Sequence, residues 1–347
     1  MMPQTMRAAV FSEFGGPEVV KVRDDVAVPD PAPGEVRLQV EAAAMNHLDL
    51  WVRRGLPIET PMPHIGGSDI VGTVESVGAG VEGVPLGTRV VVDPSVGYQW
   101  YEAEDRGESI LESAFHILGE HTQGGFAEYV VVPAANLLEI PEGVPSAKAA
   151  AAGLSFVTAW RALITRGALR AGERVLVTGA SGGVGTASVS IAVAAGAEVY
   201  AVTSGTENVE RIEAMGAHRV YDRTDVDFSR EVWRETGKRG VHLVYDTAGE
   251  AVWEQCLRSL AVGGRLVTSG ATTGPKGVSD IRLIFWKQLS ILGSTMGTPG
   301  EFRRVMRMVF SGALQPVIHE TLPLAEARRA HELLEGGGVF GKIVLEP

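Results

Sequence analysis

Between residues 6 and 140 the apolar positions fall in short, Val-rich, partly alternating runs: MRAAVF, EVRLQVEAAAM, DIVGTVESVG, TRVVVDP and FAEYVVVP. Alternation of this kind puts successive side chains on opposite faces of a strand. Clusters of Gly, Pro and Asp, such as PDPAPGE and VGAGVEGVPLG, separate the runs and read as turns. The pattern predicts an antiparallel, partly barrel-like β domain. A polar stretch from Tyr98 to Thr122 interrupts it.

From about Ser146 the period changes. AKAAAAGLSFVTAWRALI is Ala-rich, with larger apolar residues at helical spacing. The strand-like ERVLVTGASGGVG follows, then helical TASVSIAVAAGA, the strand EVYAVTS and the helix ENVERIEAMGA. HLVYDTAG and GGRLVTSGA add two more strand-and-glycine units. Strands alternating with helices predict an α/β, doubly wound parallel sheet. LAEARRAHELLEGG and GKIVLEP close the chain as one helix and one strand.

A length of 347 residues suits two domains. With 45% hydrophobic and 21% charged residues, the chain has the mix of a globular protein with a sizeable core, which argues against a disordered or fibrous one. The net charge of −11 gives a nucleic acid or an anionic membrane no electrostatic support as partner. No apolar run reaches the roughly 18 residues of a membrane span. MMPQTMRAAV does not read as a signal peptide, so a cytoplasmic location is the expectation. One cysteine, Cys256, excludes an intrachain disulfide framework and a Cys-rich zinc site. It reads as an inert packed thiol.

The strongest chemistry lies in VLVTGASGGVGTASVSIAVAAGAEVYAVTS. A buried strand runs into Gly179, Ser181, Gly182, Gly183, Val184 and Gly185, and a small-residue helix follows at once. Glycine allows the tight turn and lets backbone N–H groups approach a pyrophosphate at the helix N-terminus. At the end of the next strand an NAD site normally carries Asp or Glu for the ribose hydroxyls. Here Thr203 and Ser204 stand there, followed by Thr206, with Arg223 after the third strand. These donors point to NADP(H), with NAD still open. The bland alternative is an ordinary loop.

Taken with the N-terminal MRAAVF, the PAPGEV turn, GGFAEYVVVP and the closing GKIVLEP, these features make the chain resemble the medium-chain dehydrogenase/reductase superfamily. That resemblance implies a chaperonin-10-like β-rich catalytic domain (residues 1–150), a Rossmann domain (151–300) and a C-terminal return to the catalytic domain (301–347). It also implies cofactor contacts from Thr158 and Gly270, and a homodimer or homotetramer. In the zinc alcohol dehydrogenase branch three residues bind a catalytic metal. The matching positions here are Asn46, Ser68 and Leu154, none a strong zinc ligand. No zinc is therefore expected.

The zinc-free quinone oxidoreductase branch, which includes zeta-crystallin, is the better match. Its pattern is met by Asn46, Asp49, Arg53 and Gly55, and its Gly-Ser-Asp signature by Gly67, Ser68 and Asp69. The tyrosine usual five residues after the Asn is Trp51, which has no proton of usable acidity. Where zinc alcohol dehydrogenases carry a structural-zinc lobe with four cysteines, this chain has Tyr98, Tyr101, Glu104 and Glu112. A metal-free surface lobe is the expectation there.

The resemblance implies hydride transfer from a nicotinamide to a quinone, enone or alkenal. Asn46 is expected nearest the reacting oxygen, Trp51 shapes the pocket, and Asp69 is a third candidate catalytic residue. A structural role in a turn, or an ion pair with Arg53, competes for Asp49 and Asp69. His47, His64, His116 and His121 lack the helix-pair spacing of metal ligands. Two other classes stay open: an ordinary alcohol or aldehyde dehydrogenase, and a dinucleotide-binding protein without catalysis.

Overall fold

The computed structural model describes residues 4–98 and 115–347. Tyr101, Glu104 and Glu112 of the expected lobe lie outside the described residues. Contacts divide the chain into two compact units. One comprises the chain up to Leu154 with Gly297–Ser311 and Ile318–Pro347; the other comprises Ser155–Met296 with Gly312–Val317.

The first unit is β-rich. Its main sheet has seven strands, in the order Leu137–Glu139, Arg89–Val92, Asp69–Val77, Glu35–Ala44, Lys342–Glu346 and Ile318–Pro323, with Tyr129–Pro133 also pairing with Glu35–Ala44. A second sheet joins Lys21–Ala27, Thr5–Phe11 and His64–Ile65. All these pairings are antiparallel except that between Ile318–Pro323 and Lys342–Glu346. The Val-rich runs supply the core: Leu38, Val40, Ile70, Val74, Val90, Val130, Ile343 and Leu345 are all buried in one cluster. Each such side chain contributes about 1.5–3 kcal/mol by leaving water. The closing strand, read from GKIVLEP, belongs to this sheet although it comes last in sequence.

The second unit holds a six-stranded parallel sheet in the order Arg219–Asp222, Glu198–Thr203, Arg174–Val177, Val241–Asp246, Leu260–Thr268 and Ser290–Gly293. The chain winds outward from Arg174–Val177 in one direction and then resumes on its other side at Val241–Asp246. That reversal makes the sheet doubly wound, with a switch point at the carboxyl ends of those two strands. The helices Gly183–Ala194, Val209–Ala214, Phe228–Glu235 and Trp253–Ser259 connect the strands. Gly183–Ala194 buries Gly185, Ala187, Ser188 and Ala192, small residues that let a helix approach a sheet closely. Cys256 is fully buried in the helix Trp253–Ser259, and burial pushes its thiol pKa well up, as an inert packed thiol requires.

Candidate active site

In the parallel-sheet unit the glycine loop joins Arg174–Val177 to the helix Gly183–Ala194. Gly179 has φ +59°, a left-handed conformation that favours glycine. A Cβ on Gly185 would lie 2.0 Å from the Gly179 carbonyl oxygen, so no larger residue fits without opening the turn. Ser181, Gly182, Gly183 and Val184 stay half-buried along the loop. Behind it Thr178 Oγ1 donates to Asp246 Oδ1 at 2.6 Å, tying the two strands of the switch point together. The N–H groups of Ala248 and Gly249 also donate to Asp246. The sequence reading did not single out this latch.

At the end of Glu198–Thr203 the Thr203 hydroxyl is buried without a hydrogen-bond partner, while Ser204 and Thr206 are exposed. Arg223 is exposed too, and its backbone N–H donates to Thr203 O. A carboxylate from the neighbouring strand stands beside this turn: Asp222 Oδ2 accepts the Gly205 N–H at 3.1 Å. Thr224 donates to its other oxygen through both its N–H and its hydroxyl. Desolvation raises the Asp222 pKa, but these hydrogen bonds together hold it below the ordinary carboxylate value. Thr158 Oγ1 lies 3.8 Å from Met296 Sδ, and Gly270 is held close against the Thr247 carbonyl oxygen. The cradle at Gly179–Gly185 and the orphan Thr203 hydroxyl fit a dinucleotide, with its pyrophosphate at the helix N-terminus.

The β-rich unit carries a second polar centre, and strand register builds it. Glu35–Ala44 pairs with Lys342–Glu346 through Val344↔Ala44 and Leu345↔Ala43, and with the next strand through Ala44↔Asp69. Continuing the first pairing by two residues sets Lys342 opposite Asn46. Lys342 Nζ donates to Asn46 Oδ1 at 2.5 Å and to Asp69 Oδ2 at 3.0 Å. Asn46 Nδ2 donates to that same Asp69 oxygen at 3.0 Å. The Leu154 N–H donates to Asp69 Oδ1 at 2.5 Å. The Lys342 side chain is 4% exposed and that of Asp69 is fully enclosed. Removing one partner of such a buried pair leaves a charge unpaired, at a cost of about 3–5 kcal/mol.

Asp49 organises backbone at this centre. Its Oδ2 accepts the Asn46 N–H at 2.7 Å, at the start of the helix His47–Arg54, and its Oδ1 accepts the Gly67 N–H at 3.0 Å. Burial raises its pKa to about 6 against the pull of these hydrogen bonds. Glu120 is pushed to about 7, by burial first and then by the negative charge of Asp49; its Oε2 lies 3.2 Å from His121 Nδ1. Arg53 does not pair with Asp49, as the sequence had suggested. It is fully buried, bonds to the Gly15 carbonyl and forms its ion pair with Glu335 at 2.7 Å. Trp51 is half-buried on the helix His47–Arg54 and forms no hydrogen bond to Asn46 or Asp69.

Two expectations about this centre change. Asn46 was expected to donate to a reacting oxygen, but its amide N–H groups go to Asp69 and, at 3.5 Å, to Ala44 O, and its oxygen is held by Lys342. Lys342 itself was read only as part of a closing strand. The positions that match the zinc branch's ligands offer an amide, the buried unpartnered hydroxyl of Ser68 and the hydrocarbon of Leu154. An ammonium already bonds the first of them. This donor set does not fit a tetrahedral zinc ion, which takes thiolate, imidazole or carboxylate. Among the described residues no group of three or more His, Cys, Asp or Glu is arranged to hold a metal.

Comparison with known proteins agrees with this architecture. Residues 32–142 match the family described as alcohol dehydrogenase GroES-like domain, and residues 183–311 match the one described as zinc-binding dehydrogenase. The chain is 32% identical to the quinone oxidoreductase of Homo sapiens over 98% of this chain and 97% of that protein. It is 32% identical to an acryloyl-coenzyme A reductase of Sulfurisphaera tokodaii, over 92% of this chain and 95% of the other. A solved structure described as an NAD-dependent alcohol dehydrogenase superposes with a TM-score of 0.91 at 41% identity, covering 99% of this chain and 100% of that one. The chain belongs to the medium-chain dehydrogenase/reductase superfamily of NAD(P)-dependent oxidoreductases.

Proposed function

We propose that the protein is a metal-independent reductase that uses NADPH to reduce a conjugated carbonyl, an enone, alkenal or quinone. The observation that carries this reading is the polar centre around Asn46, where a buried ammonium already bonds the amide at one of the positions that match the zinc branch's ligands. Bound NADPH would supply the hydride. Oxidising a simple alcohol requires the hydroxyl to lose its proton, and a metal-bound alkoxide makes that accessible near neutral pH. Asn46, Ser68 and Leu154 offer neither metal nor strong base. A conjugated acceptor asks less, because its negative charge spreads over several atoms as hydride arrives, and hydrogen-bond donors suffice to meet it.

Gly179, Ser181, Gly182, Gly183, Val184 and Gly185 would hold the pyrophosphate. Ser204, Thr206 and Arg223 would hold a 2′-phosphate by charge-assisted hydrogen bonds. The relatives support reduction of electron-poor acceptors, while the 41% identical alcohol dehydrogenase supports alcohol chemistry as the second reading. The exposed Val278, Ile281, Phe285 and Trp286, near the one-sided edge strand Ser290–Gly293, support self-association. The test is a steady-state panel of quinones, enones, aldehydes and simple alcohols with each nicotinamide. Conjugated acceptors with NADPH should far outrun alcohols with NADP⁺. Comparable turnover of ethanol-like alcohols would overturn the reading.

A further inference from the structure

Lys342 is the one charged donor in the polar centre, and neither its position in the sequence nor the relatives' names assign it a role. Its ammonium has three N–H groups. Two are used, on Asn46 Oδ1 and Asp69 Oδ2; the third has no partner among the described residues. The carboxylate beside it accepts three hydrogen bonds, from Lys342, Asn46 and the Leu154 backbone. Ser68, next in the chain to Asp69, is wholly buried with its hydroxyl unpartnered. One N–H of a buried ammonium thus lies unspent beside Asn46, a position that matches a metal ligand of the zinc branch.

We propose that Lys342 is a catalytic residue whose free ammonium N–H hydrogen-bonds the acceptor oxygen, so that a built-in cation does the electrophilic work of a metal. This rests on the conjugated-acceptor reading above. In the step, a C–H bond forms at the electrophilic carbon from the hydride and the acceptor π pair moves to oxygen. The acceptor is reduced by two electrons, the dihydronicotinamide is oxidised, and water supplies the proton that completes the product. A neutral carbonyl gains little from an ammonium hydrogen bond. The enolate-like oxygen of the transition state gains much more, so the interaction raises kcat rather than ground-state binding. Asn46 and Asp69 are positioning residues here: they fix the ammonium from two sides and leave its third N–H free.

Three proteins test this: the wild type, Lys342→Met, and Lys342→Met combined with Asp69→Asn. The double variant removes both charges of the buried pair, so it leaves no unpaired carboxylate to unfold the chain. Far-UV circular dichroism and thermal melting establish folding, and fluorescence titration gives the Kd of NADPH without turnover. The expected result is a folded double variant with NADPH affinity within about threefold of wild type and kcat for an enone or quinone lower by about 10²–10³. Full kcat in the folded double variant would overturn the proposal. So would a loss carried wholly by NADPH affinity at unchanged kcat, which would make Lys342 a cofactor contact. A wild type that turns over no conjugated acceptor would sink the proposed function, and with it this proposal. A wild type that does, with indifferent variants, would sink the role of Lys342 alone.

Discussion

At the scale of single residues, the proposed choice of cofactor rests on a few side chains after the strand Glu198–Thr203. Ser204, Thr206 and Arg223 are exposed and bear donors, and Thr203 carries a buried hydroxyl with no partner. Arg223→Ala should therefore reduce the ratio of NADPH to NADH affinity by about tenfold, the worth of one charge-assisted hydrogen bond. Thr203→Asp should move preference toward NADH, because a carboxylate there repels a 2′-phosphate and accepts from ribose hydroxyls. Fluorescence titration of both cofactors checks each change. Equal affinities in the unmodified protein, unmoved by either substitution, would remove the argument. Residue-scale reading of the sequence named Asn46 and Asp69 as candidates, and their side chains lie 3.0 Å apart. It failed for Arg53, whose partner Glu335 is 282 positions away, and it passed over Asp222, which reaches the Gly205 turn from a neighbouring strand.

The elements explain why some of this was legible and some was not. The glycine loop was readable because its constraint is short-range: strand, turn and helix occur within one stretch, and the close approach of Gly185 to Gly179 is built by residues six apart. Gly185→Ala puts a methyl 2.0 Å from a carbonyl oxygen, so the turn must open. It should lower NADPH affinity by at least about tenfold, and it should also lower the melting temperature, since a displaced helix start strains the switch point. An alanine variant with wild-type affinity and melting temperature would show that the loop does not hold the cofactor in this tight form. Lys342, by contrast, enters the polar centre only through strand pairing across 273 and 296 positions. GKIVLEP announces a strand, but nothing within it announces which neighbours it will have. Sheet order and register supply that information, and they are long-range by nature.

At the scale of the molecule, two units of different construction carry two different polar features. An antiparallel sheet whose last strand returns from the C-terminal end assembles a buried Lys–Asp–Asn centre. A doubly wound sheet presents a glycine turn at its switch point. The β-rich and parallel classes of the two units were legible from hydrophobic periodicity alone, because periods of two and of about 3.6 residues are properties of short windows. The central claim is that a buried ammonium, and not a metal, stands at the reacting centre. The most direct measurement is the zinc content of the purified, dialysed protein, taken together with its enone or quinone reductase activity before and after a strong chelator. Metal far below one zinc per chain, with activity surviving the chelator, is the expected result. One tightly held zinc whose removal abolishes turnover would contradict the account.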